Sequence, residues 1–327
     1  MLKLSILDLT PISEGYNSTE TLQQSLSLAQ HADMLGYQRY WLSEHHNTNM
    51  LASASPEILA GQIAAVTRRI KVGTGGIMLP NHTPLKVAEN FRLLSALFPR
   101  RIDLGLGRAP GTDMRTALEL RGAGATLHAE DFPQQLTQLL NYLNENTGPI
   151  QAVPLDVPAP EVWLLGSSTF SAQLAAARGL PFVFAHHIQP EPAEAALRAY
   201  HAQFQPSALN EKPRGMVAVS ALCAESDEAA DTLARSADLM WLRFRQSNGH
   251  PGPLPSLKTV EAQQHSEAER ALMQAGRQRM FVGSPERVKA QLTALAERLG
   301  VHDMMINTLV HDPEARQQSY ALLARAF

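Results

Sequence analysis

Eight short apolar segments of strand-like content, helix-period stretches between most of them, and 327 residues without a linker predict an α/β protein: a (β/α)8 TIM barrel with an inserted loop near residues 243–280. The segments lie at residues 3–9, 38–43, 70–77, 101–107, 161–166, 181–186, 214–223 and 303–308. Strands that alternate with helices imply a parallel sheet covered by those helices. An open doubly wound sheet uses the same alternation, but the count of eight and the chain length favour closure. A dinucleotide fold would also want glycines after the first strand, and Leu7-Asp8-Leu9-Thr10-Pro11 has none. No Gly/Ser tract or charge block divides the chain, so residues 1–327 read as one domain.

The helices follow from spacing. After the first strand, Leu22, Leu26 and Ala29 sit four and three apart, and Gly36 stops the helix just before strand two. After strand four comes a long loop from Arg108 to His128, then the stripe Phe132, Leu136, Leu139 and Leu143. A helix from Phe170 to Arg178 follows strand five. Near the end, Ser284 and Pro285 open a helix whose stripe is Val288, Leu292, Leu295 and Leu299, closed by Gly300.

Composition excludes several classes of function. The formal net charge is -3 with Lys and Arg scattered, so a nucleic-acid partner has no basic footprint. No apolar run reaches transmembrane length, and the N-terminus enters a strand pattern without an export signal. The single cysteine, Cys223, rules out an internal disulfide and a multi-cysteine zinc cluster, and it fits the reducing cytoplasm.

In a (β/α)8 barrel the C-terminal strand ends converge on one site. Here they carry Glu44-His45-His46 after strand two, Gly75-Gly76 on strand three, Gly107-Arg108 after strand four, Gly166-Ser167-Ser168 after strand five and His186-His187 after strand six. A carboxylate beside an imidazole can fix its tautomer and raise its basicity, as acid–base work requires. Neighbouring strand residues face opposite ways, so only one of His45 and His46 enters the mouth directly. Arg108 between glycines reads as an anion contact, and the Gly166-Ser167-Ser168 turn opens a helix whose amides suit a phosphate. Gly75-Gly76 reads either as a tight turn or as bare backbone against a flat ring.

The stretches Tyr40 to Asn47, Val72 to His82 and Arg101 to Asp113, with Gly166-Ser167-Ser168 and Phe281 to Pro285 in the same order, resemble the luciferase-like monooxygenases. The resemblance runs through the whole chain and is strongest to the branch without an assigned substrate. It implies reduced FMN delivered by a separate NAD(P)H flavin reductase, O2 activated through a flavin C4a-hydroperoxide, a small organic substrate and a homodimer. By the same resemblance His45 is the catalytic histidine and Glu44 its neighbour, Gly75-Gly76 is a non-proline cis peptide beside the flavin, and Arg108 and Ser167 hold the phosphate. Gly166 departs from the luciferases, which carry an acidic residue there. The 243–280 segment, with its Asn248-Gly249-His250-Pro251-Gly252-Pro253 run, is a candidate lid.

Three other readings use the same residues. A metal-dependent hydrolase could gather His45, His46, His82, His186 and His187, although strand one lacks the His-x-His pair of such barrels. A flavin-binding barrel without turnover would keep the pocket alone. A deazaflavin dehydrogenase would transfer hydride without oxygen.

Overall fold

The strands of the computed structural model, which describes residues 2–122, 129–247 and 249–327, close into a parallel ring. The end of the expected Arg108 to His128 loop, and Asn248, fall outside the described residues. In chain order the elements begin β1 (Lys3–Asp8), α1 (Ser18–Leu35), β2 (Arg39–Leu42), α2 (Pro56–Val66), β3 (Lys71–Met78), α3 (Pro84–Leu97), β4 (Ile102–Gly107) and α4 (Met114–Arg121). They continue with α5 (Phe132–Asn144), β5 (Glu161–Gly166), α6 (Thr169–Ala177), β6 (Phe182–Ala185), α7 (Ala193–Gln203), β7 (Gly215–Cys223) and α8 (Asp227–Gln246). The last are α9 (Leu257–Glu261), α10 (Glu267–Arg277), β8 (Met280–Gly283), α11 (Pro285–Leu299), β9 (Asp303–Asn307) and α12 (Pro313–Ala326).

The closed circuit runs β1-β2-β3-β4-β5-β6-β7-β9 and back to β1, every pairing parallel. Its eight strands coincide with the eight segments read from the sequence, and the molecule is a (β/α)8 TIM barrel. The additional strand, β8, pairs only with the end of β7, from Ser220 to Cys223, and stands outside the ring. An Asp8 carboxylate clasps the seam: it accepts from Tyr40 Oη at 2.5 Å, Arg316 Nη2 at 2.6 Å and the Thr10 amide at 2.8 Å, joining β1, β2 and α12.

The expected stripes on α5 and α11 are the buried faces of those helices. On α1 the burial is rotated: Thr21, Ser25, Leu28, Ala29 and Ala32 face the barrel, while Leu22 and Leu26 are only half-buried. Small residues dominate that face beside Leu28, so Leu22 and Leu26 lie at its edge and not at its centre. The insertion near 243–280 lies between β7 and β9, but it is less of a loop than expected. It holds the end of α8, then α9 and α10, and α10 starts with a reciprocal Ser266/Glu269 capping box. Glu14 straps the insertion to the barrel rim: its carboxylate accepts from the Ser256 amide at 2.9 Å and Thr259 Oγ1 at 2.6 Å.

A large apolar layer fills the space between strands and helices, and a smaller cluster, including Leu7, Trp41, Trp163, Val183 and Met305, fills the barrel itself. Trp41 and Trp163 meet edge to face at 5.6 Å, and Arg39 and Arg214 each lie 4.9 Å from the Trp163 ring centroid. That floor closes the N-terminal end. Space remains at the C-terminal mouth.

Candidate active site

A cavity of about 180 Å³ opens at that mouth. Its wall contains Gly75, Gly76, Arg108, Gly166, Ser167 and Ser168, drawn from the ends of β3, β4 and β5. Three sequence features more than thirty residues apart thus meet on one surface. The Gly75–Gly76 peptide is cis. A side chain at Gly76 would put its Cβ 2.8 Å from the Gly105 carbonyl oxygen, so close packing of β3 on β4 keeps this wall bare. At Gly166 a Cβ would strike the Ser171 side chain, which leaves no room for the acidic residue of the luciferases.

Arg108 follows β4 and lays its guanidinium 4.5 Å from the centroid of Phe170, in the first turn of α6. Among the described residues no carboxylate neutralises it. Ser168 is the N-cap of α6, yet its hydroxyl makes no capping bond, so the helix start is open beside the guanidinium. A guanidinium, two serine hydroxyls and uncapped amides are the donor set of a phosphate site. Leu7, Leu165, Val183 and Met305 make much of the remaining wall apolar.

Glu44 and His45 are not in the cavity wall; Glu44 reaches it through Met78, and His45 lies within electrostatic range of the cavity's His187. Met78 lines the cavity, and its backbone N–H donates to Glu44 Oε2 at 2.8 Å. Glu44 Oε1 lies 2.8 Å from His46 Nε2 and 2.9 Å from His82 Nε2, so the carboxylate fixes those two imidazoles and not His45. Burial raises the Glu44 carboxyl pKa, but the bond and charge of His82, then the bonds from His46 and the Met78 amide, outweigh it and hold the group below the usual carboxylate range. Burial lowers the His82 pKa in turn, and the Glu44 bond and charge more than reverse that. His45 has no such partner. Its Nδ1 lies 3.1 Å from Ser43 Oγ, and burial pushes its pKa down to about 4, so the imidazole is neutral at neutral pH.

His187 also lines the cavity. The sequence put it at a strand mouth without a role, although the alternation Val183, Ala185, His187 was a signal: all three face inward. Among the described residues no three His, Cys, Asp or Glu side chains are gathered as a metal-holding group. No helix among them is long and apolar enough to cross a membrane.

Comparison with known proteins bears on the family and the fold. The sequence model of luciferase-like monooxygenases matches residues 2–303. A luciferase-like monooxygenase of Escherichia coli K12 is 39% identical over 98% of this chain and 96% of its own. The N-acetyl-S-alkylcysteine monooxygenase of Bacillus subtilis is 34% identical over 100% of this chain and 98% of its own. The crystal structure of apo-MsnO8 superposes with a TM-score of 0.93 at 38% identity, covering 100% of this chain and 98% of that one. The oxygenating constituent of 3,6-diketocamphane monooxygenase from Pseudomonas putida, solved with FMN, has a TM-score of 0.73 at 19% identity, covers 100% and 98%, and shows the fold alone. The chain belongs to the luciferase-like monooxygenase family.

Proposed function

We propose that this protein is an FMN-dependent monooxygenase that takes reduced flavin from a separate NAD(P)H flavin reductase and uses O2 to oxidise a small organic substrate. One observation carries the reading: the bare Gly75–Gly76 backbone, the Arg108 guanidinium and the open start of α6 share one cavity. Arg108, Ser167, Ser168 and the first α6 amides would hold the phosphate, and Gly75 and Gly76 would receive the ring on bare backbone. The flavin, when bound, supplies the electrons that activate oxygen. Leu7, Val183 and Met305 keep water from the ring side of the cavity. His45, with Nδ1 engaged by Ser43, has Nε2 as the atom that holds or passes a proton beside the site. Glu44 positions the mouth by tying β2 to Met78 and His82.

The same reading makes the enzyme a cytoplasmic homodimer. Exposed Ile58 on α2 and exposed Leu93 and Leu97 on α3, a helix in contact with α2, support the dimer as apolar surface that a second copy could cover.

The test compares FMN with riboflavin, which lacks the phosphate. Arg108→Ala should weaken FMN binding by about ten- to a hundred-fold, the range for a hydrogen bond to a charged group, and leave riboflavin unchanged. Equal losses for both ligands, or no flavin binding by the wild-type chain in either oxidation state, would overturn the proposal.

A further inference from the structure

His187 brings one acceptor to an otherwise apolar part of the cavity. Its Nδ1 lies 3.1 Å from the Ala218 carbonyl oxygen, which can only accept, so Nδ1 carries the ring hydrogen. The backbone N–H of His187 donates to the same oxygen at 3.0 Å, which fixes the residue against β7. With Nδ1 protonated, Nε2 of the neutral ring is a lone pair and nothing else. Burial holds the imidazole neutral, the Ala218 bond offsetting only part of that effect. Val183, Ala185, Ala218 and Met305 line the same cavity and offer no side-chain hydrogen-bonding group, and His45 lies within electrostatic range of the ring. An acceptor in such surroundings is satisfied by a donor on whatever fills the cavity.

Flavin changes its donors with its oxidation state. N5 of the oxidised ring is an acceptor, whereas N5 of the reduced ring carries a hydrogen. Two lone pairs facing each other repel, and a lone pair facing an N–H bonds. We infer that His187 is the residue by which this cavity prefers reduced over oxidised flavin, its Nε2 accepting a hydrogen bond from the N5–H that only the reduced ring presents. This rests on the flavin reading above and deepens it: the pocket selects the redox state of its flavin, as a chain that receives flavin already reduced requires.

The experiment is anaerobic titration of the full chain with reduced FMN, and parallel titration with oxidised FMN, for the wild type, His187→Asn and His187→Gln. The Asn amide can keep the bond to Ala218 but has no atom where Nε2 stands, while the Gln side-chain oxygen reaches that place. His187→Asn should lower the preference for reduced flavin about ten-fold, the measure of one hydrogen bond. His187→Gln should recover part of it. Should His187→Asn fail to fold, His187→Leu carries the same expectation. Equal preference in all variants, or equal weakening of both oxidation states, would assign His187 a structural role and end the inference while leaving the flavin site intact. Absence of flavin binding in the wild type would instead remove the site itself.

Discussion

The Arg108 guanidinium stacks on the Phe170 ring at 4.5 Å from its centroid, so the end of β4 is held in place by the first turn of α6. The aromatic ring aims the cation at the open helix start without consuming its hydrogen-bond donors. Phe170 is 41% exposed, so the contact belongs in the range of about 0.5–1 kcal/mol. Phe170→Ala should therefore weaken FMN binding about two- to five-fold, leave riboflavin binding unchanged and shift thermal stability little. Calorimetric titration of both ligands reads it; a loss common to both would mean that Phe170 supports the pocket and does not aim the arginine.

Glu44 accepts from His46, His82 and the Met78 amide while fully buried, so its charge cannot be removed cheaply. Glu44→Gln keeps the shape, and its carbonyl oxygen can still accept from the two imidazoles, but it loses the charge and its NH2 then meets the Met78 N–H donor against donor, at a cost of about 1–3 kcal/mol. Two linked titrations set the pH dependence. The raised His82 pKa gives stability that is complete below its unfolded value near 6.5 and lost as pH rises through the folded value; the lowered Glu44 pKa gives stability present above 4.5 and lost as pH falls through its folded value. The difference between wild type and Glu44→Gln should be largest between about pH 4.5 and 6.5. Denaturant unfolding across pH checks this, and a flat difference would show that His82 is not coupled to Glu44.

The architecture was legible because each barrel strand is a compact apolar run bounded by polar strand ends, and the site positions were legible because barrel topology brings those ends together. Partnerships across strands were not. Glu44 and His82 are 38 residues apart, and nothing in either local segment shows that one carboxylate serves two imidazoles while its neighbour His45 is left to Ser43. The insertion differs for another reason: α10 carries Ala268, Ala271, Leu272 and Ala275 at helical spacing behind the Ser266/Glu269 cap, so its helix was legible, but that stripe stays exposed and only Gly276 is buried. On α1 the inner face is made of Leu28 and of the small residues Thr21, Ser25, Ala29 and Ala32, so Leu22 and Leu26 did not mark its centre.

His45 is held neutral by burial, with a folded pKa of about 4 against about 6.5 unfolded. Between those values the unfolded chain binds the proton and the folded chain does not, so folding stability falls as pH drops from about 6.5 to 4. His186, pushed down to about 4 mainly by burial, acts in the same direction. His45→Gln should lose stability less steeply than the wild type over this window, with the two curves parallel above pH 7. Urea midpoints at half-unit pH steps measure it. Identical slopes in the window would mean that the His45 imidazole protonates freely in the folded chain, and its place as a neutral donor beside the cavity would go with that.

Ile58 on α2 is 68% exposed, and Leu97 on the neighbouring α3 is 62% exposed. Gly61, facing α3 across the helix pair, has Leu94 Cδ2 only 3.2 Å from where its Cβ would lie, so the two helices pack closely against each other. A stable interface covers about 1,000 Å² or more, which two helices packed side by side can supply. Placing a carboxylate at its centre removes apolar contact and buries an unpaired charge, a penalty of several kcal/mol that weakens association by about a hundred-fold or more. If the proposed dimer uses this surface, Ile58→Asp combined with Leu97→Asp should yield a monomer with unchanged circular dichroism, because both side chains are mostly exposed in the single chain. Sedimentation equilibrium decides the point: a wild-type monomer, or a dimer that survives both substitutions, would place subunit contact elsewhere or nowhere.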